Sequence, residues 1–216
     1  MNKVLSALLA GFILTVLISN YSDSVQADLA SNLIRFHVVA NSDSAEDQAL
    51  KLKVRDRIIN ELKELFDNTD NINATKEQLQ NQLDFVEEIA RDEIKKSGKD
   101  YPVKAELGVF PFPTKVYGDV TLPAGHYEAL RVVIGEGAGK NWWCVLFPPL
   151  CFVDATHGEL PESSKEQLKN MLTEEEYKII TSADSDSELP VQIKFKIVEW
   201  WQNSKLKIQT AFNRTD

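Results

Sequence analysis

The chain is poor in the residues that most often carry reactive or metal-bound chemistry. Its 216 residues include two cysteines, three histidines and two methionines. The histidines, His37, His126 and His157, are widely separated, with no H-E-x-x-H motif and no paired Cys/His spacing, so no metal site is expected. No Lys/Arg-rich run occurs and the net charge is −9, which argues against nucleic acid and against an anionic membrane surface as partners. Internal repeats and low-complexity tracts are missing too. A single cysteine pair is too little to be the scaffold of so long a chain.

What is present begins with a leader. Met1-Asn2-Lys3 is a small positive region, Val4 to Ile18 is almost wholly apolar, and Val25-Gln26-Ala27 has the small residues that signal peptidase prefers. Residues 1–27 are therefore expected to be a signal peptide cut after Ala27, with retention as a membrane anchor the competing reading. Residues 28–216 are expected to form one extracytoplasmic domain. The leader contains one lysine (Lys3) and one acid (Asp23), so its removal leaves the charge at −9.

The stretch from Leu33 to Phe66 organises the rest. Leu33 to Ala40 is apolar and β-branched, with Arg35 and His37 on one face, and reads as a strand. Asn41-Ser42-Asp43-Ser44 ends it, and Asp43 with Glu46 has capping-box spacing. Leu50, Val54, Ile58, Leu62 and Phe66 then recur every four residues as the buried stripe of a long helix. A second helix is expected from Thr75 to Ser97, with a Thr75–Gln78 capping box, buried Leu79, Leu83, Val86, Ala90 and Ile94, and Gly98 as its stop.

Past Gly98 the period becomes alternating. Val103 to Val109, Val116 to Leu122, His126 to Ile134 and Trp142 to Phe147 read as strands with short connections, hence an antiparallel meander. Thr173 to Glu176 has capping-box spacing in an acidic, helical tail. Pro190 to Gln202 fits helix better than strand. The expected fold is α+β: a two-layer sandwich of a mostly antiparallel sheet, a helix pair after the first strand, and short C-terminal helices.

Each candidate for chemistry has a structural alternative. Asn41, Asp43, Glu46 and Asp47 suit a cation or a partner's basic group, but also suit helix capping and an Asp43-Asp47-Lys51-Arg55 ion-pair ladder. His37 beside this turn resembles a general base, yet no nucleophile is evident and a core histidine hydrogen-bonded to Asp or backbone is the preferred reading. Cys144 is a nucleophile only if unburied and unpaired; a buried pair or disulfide with Cys151, allowed by a turn at Pro148-Pro149, is the alternative. Gly135-Glu136-Gly137-Ala138-Gly139-Lys140 lacks a following Ser/Thr and helix, so it reads as a hairpin loop and not a phosphate cradle. No cofactor is expected. Trp142 and Trp143 point to opposite faces of their strand, leaving one available as an interface anchor.

Two long blocks carry a resemblance. Ile34 to Ile58 (IRFHVVANSDSAEDQALKLKVRDRI) and Leu122 to Asp154 (LPAGHYEALRVVIGEGAGKNWWCVLFPPLCFVD), with the leader and the VEWWQ segment at Val198 to Gln202, resemble stage II sporulation protein R of endospore-forming bacteria. The resemblance implies a protein exported from the forespore into the space between the two membranes that separate it from the mother cell. There it would trigger a membrane-embedded aspartic protease that removes the pro-segment of a sporulation sigma factor. It implies a signalling role; the residues themselves then suggest a binding ligand whose candidate contacts are Arg35, His37, Asn41, Asp43, Glu46, Asp47, Trp142 and Trp143, the acidic turn first and an exposed Trp second. The rival reading is a secreted hydrolase using His37 or Cys144. A weaker third is a cell-wall-binding module using Trp142 or Trp143.

Overall fold

The computed structural model describes residues 26–67, 71–151 and 162–181, together with residue 160 and the isolated leader positions 6, 9, 11 and 13. Strand β1 (Ile34–Val39) is buried at all six positions. Helices α1 (Ala45–Asp67), α2 (Ile72–Asn81) and α3 (Leu83–Lys96) follow it. Next come strands β2 (Val103–Phe112), β3 (Lys115–Tyr117), β4 (Val120–Leu122), β5 (Gly125–Ile134) and β6 (Asn141–Phe147). Helices α4 (Glu162–Met171) and α5 (Glu174–Thr181) complete the described elements.

The fold is α+β, and its four-stranded sheet runs β2-β5-β1-β6. β1 is parallel to β5 and antiparallel to β6, while β2 is antiparallel to β5. The expected meander is thus corrected: β5 and β6 do not pair, because β1 lies between them. Burial decides this. A strand buried at every position, Arg35 and His37 included, belongs inside a sheet covered on both sides. The expected hairpin at Gly135 to Lys140 is corrected for the same reason, since that loop must cross the end of β1.

One sheet face packs on the helices. Ile34, Phe36 and Val38 meet Leu50, Val54, Ile58 and Leu62 of α1, and Val86, Ala90 and Ile94 of α3. The stripe from Leu50 to Leu62 is therefore core, as its period required, and the Phe66 side chain lies outside what is described. On the other face, Tyr127, Ala129 and Val145 join Leu29, Leu33, Val120 and Leu122, with Leu168 of α4 and Ile180 of α5.

Local signals held in part. Gly98, at φ +74, ends α3, and Lys99 N–H donates to Ile94 at 3.2 Å, a left-handed stop that glycine adopts freely. Thr173 and Glu176 form the reciprocal capping box at α5, with Thr173 N to Glu176 Oε2 at 2.7 Å and Glu176 N to Thr173 Oγ1 at 3.2 Å. The helix expected from Thr75 is two helices, broken at Gln82, which follows the weak helix former Asn81. Asn71, not Thr75, caps α2, its side chain accepting from Asn73 and Ala74. Pro190 to Gln202 lies outside the described residues.

Two glycines test the packing without a change of backbone region. A Cβ on Gly139 would run into the Ser42 carbonyl, which is backbone and cannot swing aside. A Cβ on Gly108 would meet the Phe110 ring at an ordinary 3.5 Å. Gly139→Ala is expected to cost about 1–3 kcal/mol, read from the urea midpoint. Gly108→Ala should be neutral or slightly stabilising, because it restricts the unfolded chain.

Candidate functional site

The end of β1 is a clamp of three segments. Asn41 Oδ1 accepts from Glu136 N at 3.0 Å, while its Nδ2 donates to Asp47 Oδ2 at 2.8 Å. Ser42 Oγ donates to the same Asp47 oxygen at 2.6 Å. Asp43 Oδ1 accepts from Lys140 N at 2.7 Å. Gly139 N and Ala138 N donate to the Ala40 and Asn41 carbonyls at 2.9 and 3.1 Å. The glycine loop therefore closes over the β1–α1 turn through backbone groups, and holds it from above.

This geometry reassigns several candidates. Asp47 is buried, and the Ser42 hydroxyl, followed by the Asn41 amide, holds its carboxyl below the usual range. The expected Asp43–Glu46 capping box is replaced by Ser44, whose Oγ accepts from Asp47 N at 3.1 Å. The expected ion-pair ladder does not form. Lys51 is buried and donates to Gln48 Oε1 at 2.6 Å and the Lys140 carbonyl at 3.0 Å, and Arg55 pairs with Asp56. Burial lowers the Lys51 pKa. Of the four acidic-turn candidates, Asp43 and Glu46 are exposed, and Glu46 pairs with Lys99 at 3.0 Å.

Arg35 and His37 point to the opposite sheet face from Phe36. Both are buried, Arg35 at 0% and His37 at 7% exposure. His37 stacks on Trp143 with ring centroids 4.0 Å apart, and Phe112 meets both rings edge-on. Burial pushes the imidazole from 6.5 to about 4; the Asn141 amide opposes the shift without reaching hydrogen-bond geometry, and the Arg131 and Arg35 cations add to it. Arg35 lies over Phe112 at 4.2 Å and Tyr127 at 4.8 Å, and Nη2 donates to the Tyr117 hydroxyl at 2.7 Å. Sequence reasoning missed this aromatic enclosure. Its members come from β2, β3 and β5, and no local spacing ties them to Arg35.

The described residues do not bring Cys144 and His37 together. Cys144 is bridged to Cys151, with Cα atoms 5.5 Å apart across the Pro148-Pro149 turn. Cys144 pairs in register with Phe36, and His37 with Trp143, so the sulfur and the imidazole lie on opposite faces of the sheet. No carboxylate among the described residues hydrogen-bonds His37, and both ring nitrogens lack partners. No group of three or more His, Cys, Asp or Glu among the described residues is arranged to hold a metal. Trp142 and Trp143 do face opposite ways, but both are half-buried: Trp142 under Arg55 at 4.6 Å, Trp143 on His37.

A family profile described as Stage II sporulation protein R matches residues 30–157, a span from before β1 to past the disulfide turn. Stage II sporulation protein R of Bacillus subtilis (strain 168) is 34% identical to the chain over 188 residues, covering 83% of this chain and 84% of that protein. No solved structure matches the chain.

The buried imidazole makes stability depend on pH with a definite sign. Its folded pKa, about 4, lies below the unfolded 6.5. Between those values the unfolded chain binds a proton that the folded one refuses, so His37 favours folding above 6.5 and that advantage fades as pH falls toward 4. Asp47, held below its usual 3.8, acts only in more acid solution. His37→Phe, which keeps a ring against Trp143, should flatten the urea midpoint between pH 6.5 and 4 and leave the steeper loss below 3.8. An unchanged slope in the upper window would show that His37 does not titrate as its burial requires.

Proposed function

Since the chain belongs to the stage II sporulation protein R family, we propose that it is an exported sporulation signal that acts by binding. Its target would be the extracytoplasmic surface of a membrane-embedded aspartic protease of the mother cell, which then processes a pro-sigma factor. The family match over most of the chain is the observation that carries this reading. Cleavage after Ala27 would release the protein into the space between the two membranes. That cut would remove Gln26, whose Nε2 donates to the His126 carbonyl at 3.1 Å, and would keep Leu29 in the core. Among the described residues no helix is long and apolar enough to cross a membrane.

A ligand activates an enzyme only by its differential affinity for the active arrangement. A rigid contact surface serves this best, because little ordering is then lost on binding. The outer side of the clamp, Asp43 and Glu46, meets that need: both are exposed and stand on a turn fixed from two sides. Asp47 and Asn41 would hold the surface in place instead of touching the partner. Trp143, half-buried on His37, is the second candidate anchor.

The test is reconstitution in vegetative cells expressing the protease, its pro-sigma substrate and this protein with its leader. Wild type should trigger processing; failure to do so, with the exported protein folded, would end the reading. Asp43→Asn with Glu46→Lys keeps the acceptor oxygen for Lys140 while removing the acidic face. This double variant should still fold, with a small drop in melting temperature from the lost Lys99 pair, and lose about tenfold or more in processing. Full processing would exclude that surface. His37→Phe should still signal if binding, and not chemistry, is the activity.

A further inference from the structure

The sheet has two edge strands, β2 and β6. The β6 edge is met by its own chain, where the Val145 carbonyl accepts from Leu150 N at 3.1 Å. On β2 the direction of the backbone groups follows from two bonds. Gly135 N donates to the Pro102 carbonyl at 2.8 Å, which continues the β2–β5 register and turns the even-numbered residues of β2 toward β5. Ala105 N points away from the sheet and donates to Glu87 Oε1 of α3 at 2.9 Å, so the odd-numbered residues face outward. Along this outward row Glu87 occupies the Ala105 amide and Pro111 has no N–H. Leu107 and Val109 remain, with no acceptor for either amide among the described residues. Leu107 packs against the core, but Val109 is 63% exposed. β2 carries one base and one acid, Lys104 and Glu106, so this edge is neutral although the chain is at −9.

We propose that this edge docks a second copy of the chain, β2 against β2, antiparallel about a two-fold axis at Gly108. Leu107 of each copy then lies opposite Val109 of the other, and their free N–H and C=O groups bond reciprocally. This register sets the whole free window of each copy against that of the other. A shift of two residues either way brings Glu87 or Pro111 into the pairing. The axis suits glycine, because facing residues there form the narrow, non-hydrogen-bonded pair with Cα atoms about 4.5 Å apart. Each exposed Val109 gains the other copy's Leu107 as an apolar cross-strand neighbour. An unrelated strand could use the same bonds, but the two-fold match, with glycine at the axis and an apolar pair on each side, selects a second copy. Glu87 and Pro111 bound the window, as guarded edges do, so the contact is small and the dimer reversible. This inference does not depend on the signalling reading.

Oxidative trapping of the full chain in exporting cells tests the register as well as the contact. Facing Gly108 residues stand within disulfide range, and a Cβ there meets the Phe110 ring at an ordinary 3.5 Å, so Gly108→Cys keeps the fold. After oxidation with diamide, this variant should run mostly as a covalent dimer on an unreduced gel. Lys104→Cys is the control. Its position is more open, at 72% exposure, but its two copies would stand roughly 26 Å apart, and it should give at least tenfold less dimer. Random collision, or association through the leader, would not favour Gly108 over Lys104. Val109→Lys, added to Gly108→Cys, should cut the dimer about tenfold while the chain stays folded, since Val109 is exposed. Without any cysteine, the Leu107 and Val109 amides of the wild-type chain should exchange more slowly with solvent as concentration rises. The proposal is overturned if Gly108→Cys is folded yet monomeric, or bridges a different protein in place of itself. Equal trapping at Lys104→Cys, indifference to Val109→Lys, or amide exchange independent of concentration overturns it too.

Discussion

The burial of β1 on both faces is the constraint from which the rest of the structure follows. Its six residues are enclosed by β5 and β6 at the edges, by α1 and α3 on one face and by the second core on the other. A strand so placed forces the chain between its neighbours to pass over its end. The Gly135 to Lys140 loop does this, and its backbone amides find acceptors in the turn beneath: Asn41 Oδ1, Asp43 Oδ1 and two carbonyls. The acidic turn is thus first a device for satisfying a crossing loop. Of its acids, Asp43 and Glu46 stay exposed while making contacts of their own, Asp43 with Lys140 N and Glu46 with Lys99.

Much of the local structure was legible because it is encoded locally. The stripe from Leu50 to Leu62, the Gly98 stop and the Thr173–Glu176 box depend on residues within a few positions of one another, and each stands as its spacing suggested. The strand order did not follow from such signals. Insertion of β1 between β5 and β6 joins segments about a hundred residues apart, and alternation in each strand is the same whether or not neighbours in sequence pair. The break at Gln82 escaped for a subtler reason. Leu79, Val86, Ala90 and Ile94 stay on one buried side across it, so the apolar period carries no mark of the interruption.

The candidate site was legible as a place and not as a set of roles. Polar residues at a strand-to-helix junction drew attention to this turn, where Asp47 faces inward and Ser44, not Asp43, caps the helix. Composition cannot tell an acid that meets a partner from one that receives a hydroxyl and an amide from its own turn. The Arg35 enclosure was out of reach of any local rule. Tyr117 arrives on the β3–β4 hairpin and Phe112 at the far end of β2, and only the folded sheet brings them to β1.

Charge inside the second core shows how closely these placements are linked. Arg35 brings one cation among aromatic rings with a single phenol as hydrogen-bond partner, and burial raises the Tyr117 hydroxyl while pushing that of Tyr127 up to about 12, so neither ring can ionise to balance it near neutrality. A second cation two residues away would add repulsion to desolvation, and His37 is accordingly held neutral. The strand therefore tolerates one charge on this face and no more. That charge is set where aromatic quadrupoles offset part of its desolvation, and where an aliphatic residue of similar length would leave the Tyr117 hydroxyl without its donor. A position used only for packing would be filled more favourably by such an aliphatic side chain. The arginine there spends one donor on Tyr117 and leaves Nε and Nη1 without a hydrogen-bond partner, a desolvation cost that its ring contacts offset only in part.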